Sequence, residues 1–148
     1  MTDAWLAGVR RGRAPHAVLL TGSRGVGKRA VAAWMAMQRL GLEAPTLPTY
    51  RWGAASPGVG CVLENHPDMR WVRPFEDKRT IHIDQIRELV SDLSLTSYEG
   101  GAKVAILEPA NALTDNAANS LLKTLEDPPG DVLFLLVADC MGKLPATI

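Results

Sequence analysis

Short apolar runs alternate along this chain with segments of mixed polarity. Residues 17–20, 104–107 and 132–137 are continuous apolar runs, which are typical of strands buried on both faces of a sheet. Residues 69–73 form a fourth candidate strand that stops at Pro74. The pattern therefore predicts several buried strands rather than an alternating, half-exposed sheet.

Helical segments are predicted between these runs. Residues 3–11 and 30–37 contain helix formers, and the second segment closes at Gly41. Another helix is predicted from Ile83 onward, because its apolar residues recur at helical spacing, and a last one follows the N-cap Thr114. Strands that alternate with helices predict an α/β domain with a largely parallel sheet flanked by helices, over residues 1–148. Residues 42–60 are rich in proline and glycine and are predicted to form an irregular insertion.

Composition argues against a strongly basic nucleic-acid-binding protein, a membrane protein and a secreted protein. Sixteen basic residues balance sixteen acidic ones, so no overall field draws the chain to nucleic acid or to a membrane surface. No apolar run approaches the length of a membrane span, and the first residues do not have the pattern of a signal peptide. The two cysteines, Cys61 and Cys140, lack metal-ligand spacing and suit a reducing compartment. We therefore expect a cytoplasmic protein without a membrane partner.

The clearest chemical motif lies between the first predicted strand and the helix that follows it. Residues 22–28 read Gly-Ser-Arg-Gly-Val-Gly-Lys, which is the phosphate-loop pattern in its required context. Glycines let backbone amides approach a phosphate closely, and the lysine adds a point charge. The alternative is a glycine-rich turn with a solvated lysine. The loop is a candidate site for ATP, ADP, phosphate or sulfate, and its candidate residues are Gly22, Gly25, Val26, Gly27, Lys28 and Arg29.

Arg29 departs from the pattern of a magnesium-dependent nucleotidase. Such an enzyme has Ser or Thr after the loop lysine, because the hydroxyl coordinates the metal ion. A guanidinium carries only donors and cannot ligate a cation, although it can pair with a phosphate. We therefore expect Arg29 to remove metal positioning at the loop but to leave anion binding possible.

A second departure follows the predicted strand 104–107. Glu108 stands where a metal-binding acid is expected, but the next residue, Pro109, has no acid or base with which to activate water. Glu108 is predicted either to hold a metal through water or to be a solvated carboxylate at the end of the strand. Hydrolysis is not expected, and we assign no catalytic residue and no metal ligand.

Several segments together resemble the clamp-loader subunits of bacterial DNA polymerase III, which are AAA+ proteins. The strongest is Asn119-Ser120-Leu121-Leu122-Lys123-Thr124-Leu125-Glu126-Asp127-Pro128-Pro129, which resembles the signature helix of that family. The other matching segments are 15–17, 22–28, 65–68, 83–87, 100–104 and 143–148. They cover nearly the whole chain in the expected order, so the resemblance implies an AAA+ domain of the P-loop NTPase type.

The resemblance also implies which type of clamp-loader subunit this is and which partners it binds. Glu108-Pro109-Ala110 resembles the corresponding segment of delta-prime subunits, in which the catalytic pair of acids has been lost. The resemblance implies that such a subunit belongs to the polymerase III holoenzyme, which is a nucleotidyltransferase, and has no ATPase activity of its own. The implied partners are gamma or tau and delta subunits, with the sliding clamp and primer-template DNA reached through the assembly. Asn119, Lys123 and Glu126 on the signature helix are the interface candidates. One alternative is an ATP-hydrolysing motor subunit of the gamma/tau type. A second alternative is an unrelated phosphate-loop kinase or nucleotidase, but that function would leave the signature helix unexplained.

Two features depart from the family pattern. The family carries a four-cysteine zinc module where residues 42–60 lie, but the one cysteine near this stretch is Cys61, directly after it, and one thiolate cannot form a structural zinc site. We therefore expect no zinc. The sequence also ends at Ile148, before the expected Ser-Arg-Cys motif, so that the arginine acting in trans and the lid and collar domains are expected to lie outside it.

Overall fold

The computed structural model describes residues 2–42, 66–98 and 100–139. Within them the strands are β1 (Ala17–Thr21), β2 (Met69–Val72), β3 (Lys103–Leu107) and β4 (Val132–Ala138). The helices are α1 (Thr2–Arg10), α2 (Lys28–Leu40), α3 (Ile83–Ser94) and α4 (Asp115–Glu126), with a short 3₁₀ turn at Ala110–Ala112. Most of the predicted insertion at 42–60 lies outside the described residues, as do Cys61 and Cys140.

The four described strands form one parallel sheet in the order β1-β4-β3-β2. The register pairs Leu19 with Leu136 and Ala105 with Phe134. Because all four strands run in the same direction, their carboxyl ends meet at one edge, which we call the carboxyl edge. The prediction of an α/β domain with a parallel sheet flanked by helices is confirmed.

Strand β4 supplies side chains to both faces of the sheet, and all seven of its residues are buried. Leu133, Leu135 and Val137 pack in one core with α1 and α2. Phe134 and Leu136 alternate with them and pack in a second core with α3 and α4. This double burial explains why the strand reads as a continuous apolar run, since neither face is available for polar residues.

The helix ends follow the local signals in the sequence. Gly27 and Gly41 flank α2 in left-handed conformations, at φ 93° and 72°. The Thr114 side chain accepts a hydrogen bond from the Ala117 amide at 3.2 Å and caps α4, as predicted. Helix α2 begins two residues before the predicted start at residue 30, because the turn at Gly27 leads directly into helical backbone. Strand β2 ends at Val72, one residue earlier than predicted.

The three histidines have structural roles. His16 Nε2 lies 2.7 Å from the Leu125 carbonyl oxygen, and His66 Nδ1 accepts a hydrogen bond from the Asp68 amide. His82 is the N-cap of α3 and forms a capping box with Gln85. No helix in the three described ranges is long and apolar enough to cross a membrane.

The central position of β4 leads to a stability prediction that uses two phenylalanines. Phe134 is fully buried in β4, whereas Phe75 is 59% exposed in a loop. We expect Phe134→Ala to lower the free energy of unfolding by about 3–5 kcal/mol, because it leaves a cavity between the sheet and its helices. Phe75→Ala is the matched control and should change it by less than about 0.5 kcal/mol. Urea unfolding followed by circular dichroism measures both; equal losses would contradict the assignment of β4 to the core.

Candidate functional site

The carboxyl edge brings together the loop between β1 and α2 and the residues that follow β3 and β4. Strand β4 lies between β1 and β3, so Asp139, directly after β4, stands between the loop and Glu108. Residues far apart in sequence therefore form a single site. This site lies at the carboxyl ends of the parallel strands, where ligands of α/β proteins usually bind.

Two glycines fix the shape of the loop. Gly27 has φ 93° and leads into α2, a conformation that strains other residues. Gly22 has φ 151°, and a Cβ atom there would lie 3.2 Å from Cγ2 of the exposed residue Val26. Gly22 and Gly27, two of the glycines that the sequence singled out, therefore have backbone conformations that favour glycine.

Lys28 is the first residue of α2, and its ammonium group points back into the loop. It donates hydrogen bonds to the carbonyl oxygens of Gly22 and Ser23, the latter at 2.8 Å, and to Oδ1 of Asp139 at 3.4 Å. The Lys28 side chain is only 10% exposed. An ammonium group has three donors, so all of its capacity is used within the protein.

Asp139 joins β4 to the phosphate loop. Its Oδ2 accepts a hydrogen bond from Nε of Arg24 at 3.2 Å, and its backbone amide donates to Oδ1 of Asn111 at 2.8 Å. The hydrogen bond from Arg24, reinforced by Lys28, holds the pKa of Asp139 below its ordinary value, although desolvation opposes the shift. The side chain is therefore a carboxylate at neutral pH.

Glu108 lies at the end of β3 and is surrounded by donors. Nε of Arg29 donates to Oε1 of Glu108 at 2.8 Å, and the indole nitrogen of Trp71 donates to Oε2 at 3.1 Å. Nε of Arg73 lies 3.8 Å from the same Oε2, and its guanidinium carbon is 4.3 Å from the centre of the Trp71 ring. The Glu108 side chain is only 12% exposed. It is thus bound internally rather than solvated, and both of its oxygens already have partners.

Positive side chains outnumber carboxylates at this edge, and Pro109 offers no base beside Glu108. The cations are Arg24, Lys28, Arg29 and Arg73, and the carboxylates are Glu108 and Asp139. Within residues 2–42, 66–98 and 100–139, no group of His, Cys, Asp and Glu side chains could hold a metal ion.

Sequence reasoning missed Asp139, Asn111, Trp71 and Arg73. Asp139 follows an apolar strand just as Glu108 does, so the same reasoning applied to the second strand end would have found it. Trp71 and Arg73 carried no such signal, because only the pairing of β2 with β3 brings them to Glu108.

The interface candidates lie on α4, outside the loop and the strand ends described above. Asn119, Lys123 and Glu126 are exposed and follow one another along α4 at helical spacing. They form one solvent-facing stripe on the signature helix, which we call the α4 stripe.

Comparison with known proteins places the chain in a family. A family model described as DNA polymerase III, delta subunit, matches residues 2–148. The chain is 41% identical over 141 residues to DNA polymerase III subunit delta' of Pseudomonas aeruginosa, an alignment that covers 93% of this chain and 42% of the relative. It is 34% identical to the subunit delta' of Bacillus subtilis, over 95% of this chain and 41% of the relative.

Related subunits of the same polymerase also match. The chain is 35% identical to DNA polymerase III subunit tau of Escherichia coli, over 95% of this chain and 21% of that protein. A crystal structure of a gamma subunit-related DNA polymerase III protein from Thermotoga maritima superimposes with a TM-score of 0.67 at 20% identity, over 97% of this chain and 42% of the other. This structural likeness supports the fold.

The delta' relatives extend well beyond the part that matches. The chain spans about 42% of the length of the Pseudomonas aeruginosa relative. Since the family model matches almost every residue, the chain belongs to the family described as DNA polymerase III, delta subunit.

Proposed function

We propose that this chain is the nucleotide-binding-type domain of a clamp-loader subunit, of the delta-prime kind, that does not hydrolyse ATP itself. Its role in the cytoplasm is to help ATP-hydrolysing neighbours load the sliding clamp onto primer-template DNA. Family membership supports a role in a DNA polymerase III assembly, and the delta' relatives support the delta-prime type of subunit. The observation that carries the proposal is the ion pair between Arg29 and Glu108.

The ion pair joins the two positions that a nucleotidase needs for its metal. A hydrolysing P-loop enzyme holds magnesium between the hydroxyl after the loop lysine and an acid at a strand end. Here the guanidinium of Arg29 follows the lysine and lies 2.8 Å from Glu108. A fixed positive charge thus lies beside the acid that would face the metal, and a second cation there would meet electrostatic repulsion.

The tau relatives make an ATP-hydrolysing motor the competing function. Their identity, at 35%, is similar to that of several delta' relatives, so overall similarity does not choose between them. The site favours the non-hydrolysing role, because a tau-like motor requires a metal-binding hydroxyl and a base where this chain has Arg29 and Pro109.

The phosphate loop in this proposal binds a phosphate group without magnesium. Anion binding requires only oriented amides and positive charge. In this proposal the amides of the glycine-rich loop and the ammonium group of Lys28 supply them. A ligand such as ADP would take hydrogen bonds from Lys28 and the loop amides, with Arg29 supplying the charge that magnesium supplies elsewhere.

The α4 stripe is proposed as a contact with a neighbouring gamma or tau subunit. Asn119, Lys123 and Glu126 combine an amide, a cation and an anion on one exposed face of a rigid helix. Such a face can recognise a partner by complementary charge.

We expect that the chain with magnesium hydrolyses ATP no faster than Lys28→Ala. The reason is the absence of a metal-binding hydroxyl at residue 29 and of a base at residue 109. Phosphate release measured with a coupled assay tests this. Turnover that is clearly above the Lys28→Ala background would refute the non-hydrolysing role.

Affinity for ADP should depend little on magnesium in the parent chain. In Arg29→Thr, residue 29 gains a hydroxyl group and Glu108 loses its ion pair with the residue after Lys28, so we expect the affinity to become magnesium-dependent. Titration calorimetry with and without magnesium measures both proteins, and Lys28→Ala should weaken binding by roughly tenfold or more. A parent that requires magnesium, or that does not bind ADP at all, would contradict the prediction.

Lys123→Glu should weaken binding of a tau subunit by roughly tenfold, mainly through a slower association rate. The measurement is surface plasmon resonance with a full-length subunit that carries these residues. Lys78→Glu changes an exposed lysine outside α4 and serves as the matched control. Equal effects of the two substitutions would mean that the α4 stripe is not the contact.

A further inference from the structure

Two aspartates flank the central strand, and each is paired with an arginine. Asp131 precedes β4 and pairs with Arg39, whereas Asp139 follows β4 and pairs with Arg24 and Lys28. Only Asp139 lies at the carboxyl edge, where its partners are the cations of the phosphate loop. An aspartate thus lies at each end of β4, but only Asp139 contacts the phosphate loop.

The contact between Asp139 and Lys28 is the one that a bound phosphate would replace most easily. Two of the three donors on Lys28 bind the carbonyl oxygens of Gly22 and Ser23, which belong to the loop itself. The third reaches Asp139 at 3.4 Å, the longest of the three contacts. A phosphate can gain this donor only if the carboxylate gives it up.

The contact with Arg24 has the same character. The Arg24 side chain is 91% exposed, so it is free to turn toward an anion in solvent. The backbone of Asp139 is held by Asn111, but its carboxylate is 38% exposed and can move without breaking that backbone hydrogen bond. Displacement of the carboxylate therefore requires no rearrangement of the sheet.

We propose that Asp139 is an internal competitor for the phosphate loop: its carboxylate occupies Lys28 and Arg24 and lowers the affinity of the loop for phosphate groups. A phosphate that enters the loop displaces the carboxylate from Lys28 or binds against its negative charge. In either case the charge of Asp139 weakens binding. This inference rests on the proposed anion site and adds the residue that sets its affinity.

The test is the affinity for ADP, without magnesium, of the full chain and of Asp139→Asn. The substitution removes the charge and keeps the size of the side chain, and we expect binding to strengthen on the order of tenfold, as one charge is removed a few ångströms from the phosphates. Asp131→Asn is the matched control at the other end of β4 and should leave the affinity unchanged. In a double variant with Lys28→Ala, the gain from Asp139→Asn should become much smaller, because the competed cation is gone. Thermal unfolding of each variant confirms that the proteins compared are folded.

Three results would overturn the inference: an affinity for ADP that Asp139→Asn does not raise, a gain that Asp131→Asn shares, or no binding by either parent or variant. Binding of the tau subunit and the ATPase assay are separate measurements. Normal partner binding without any effect at Asp139 would therefore remove the competitor role and leave the clamp-loader role standing.

Discussion

The burial of β4 on both faces is the constraint on which the rest of the structure depends. Its seven residues lie in the middle of a parallel sheet and supply side chains to two cores. Because its neighbours β1 and β3 run parallel to it, the phosphate loop, Glu108 and Asp139 all emerge at one edge. The site is thus a consequence of strand order, and damage to β4 would disturb both the cores and the relative placement of the charged groups.

The carboxylates at the carboxyl edge are neutralised by arginine and lysine side chains. Asp139 holds Lys28 and Arg24, and Glu108 holds Arg29, so each carboxylate at a strand end is paired with a cation from the loop or from α2. In a hydrolysing relative, part of this compensation comes from magnesium. Here it is built into the protein. This difference explains how a chain can keep the phosphate-loop sequence and the fold of its family while the proposed function does not include hydrolysis.

The environment of Glu108 also links the site to the remainder of the sheet. Trp71 and Arg73 come from the end of β2 and contact the same carboxylate oxygen. Gln85, in the first turn of α3, donates to the Arg73 carbonyl oxygen at 2.8 Å. The ion pair of Arg29 is therefore supported by groups from β2 and α3, which stabilise Glu108 in its position.

The sequence by itself determined the class of fold and the parts of the motif that are local. Continuous apolar runs specify buried parallel strands, and Gly27, Gly41 and Thr114 act on their immediate neighbours, so these features follow from residues that are close along the chain. Arg29 and Pro109 also predicted the loss of hydrolysis from the sequence, because neither side chain carries an atom that can bind magnesium or accept a proton from water. Only the tertiary structure decided which charges meet. The pairs Arg29 with Glu108 and Lys28 with Asp139 join residues 79 and 111 positions apart, and they form because β4 lies between β1 and β3 in the sheet. The choice between a solvated and a paired Glu108 depends on that strand order, which a local pattern of residues does not encode.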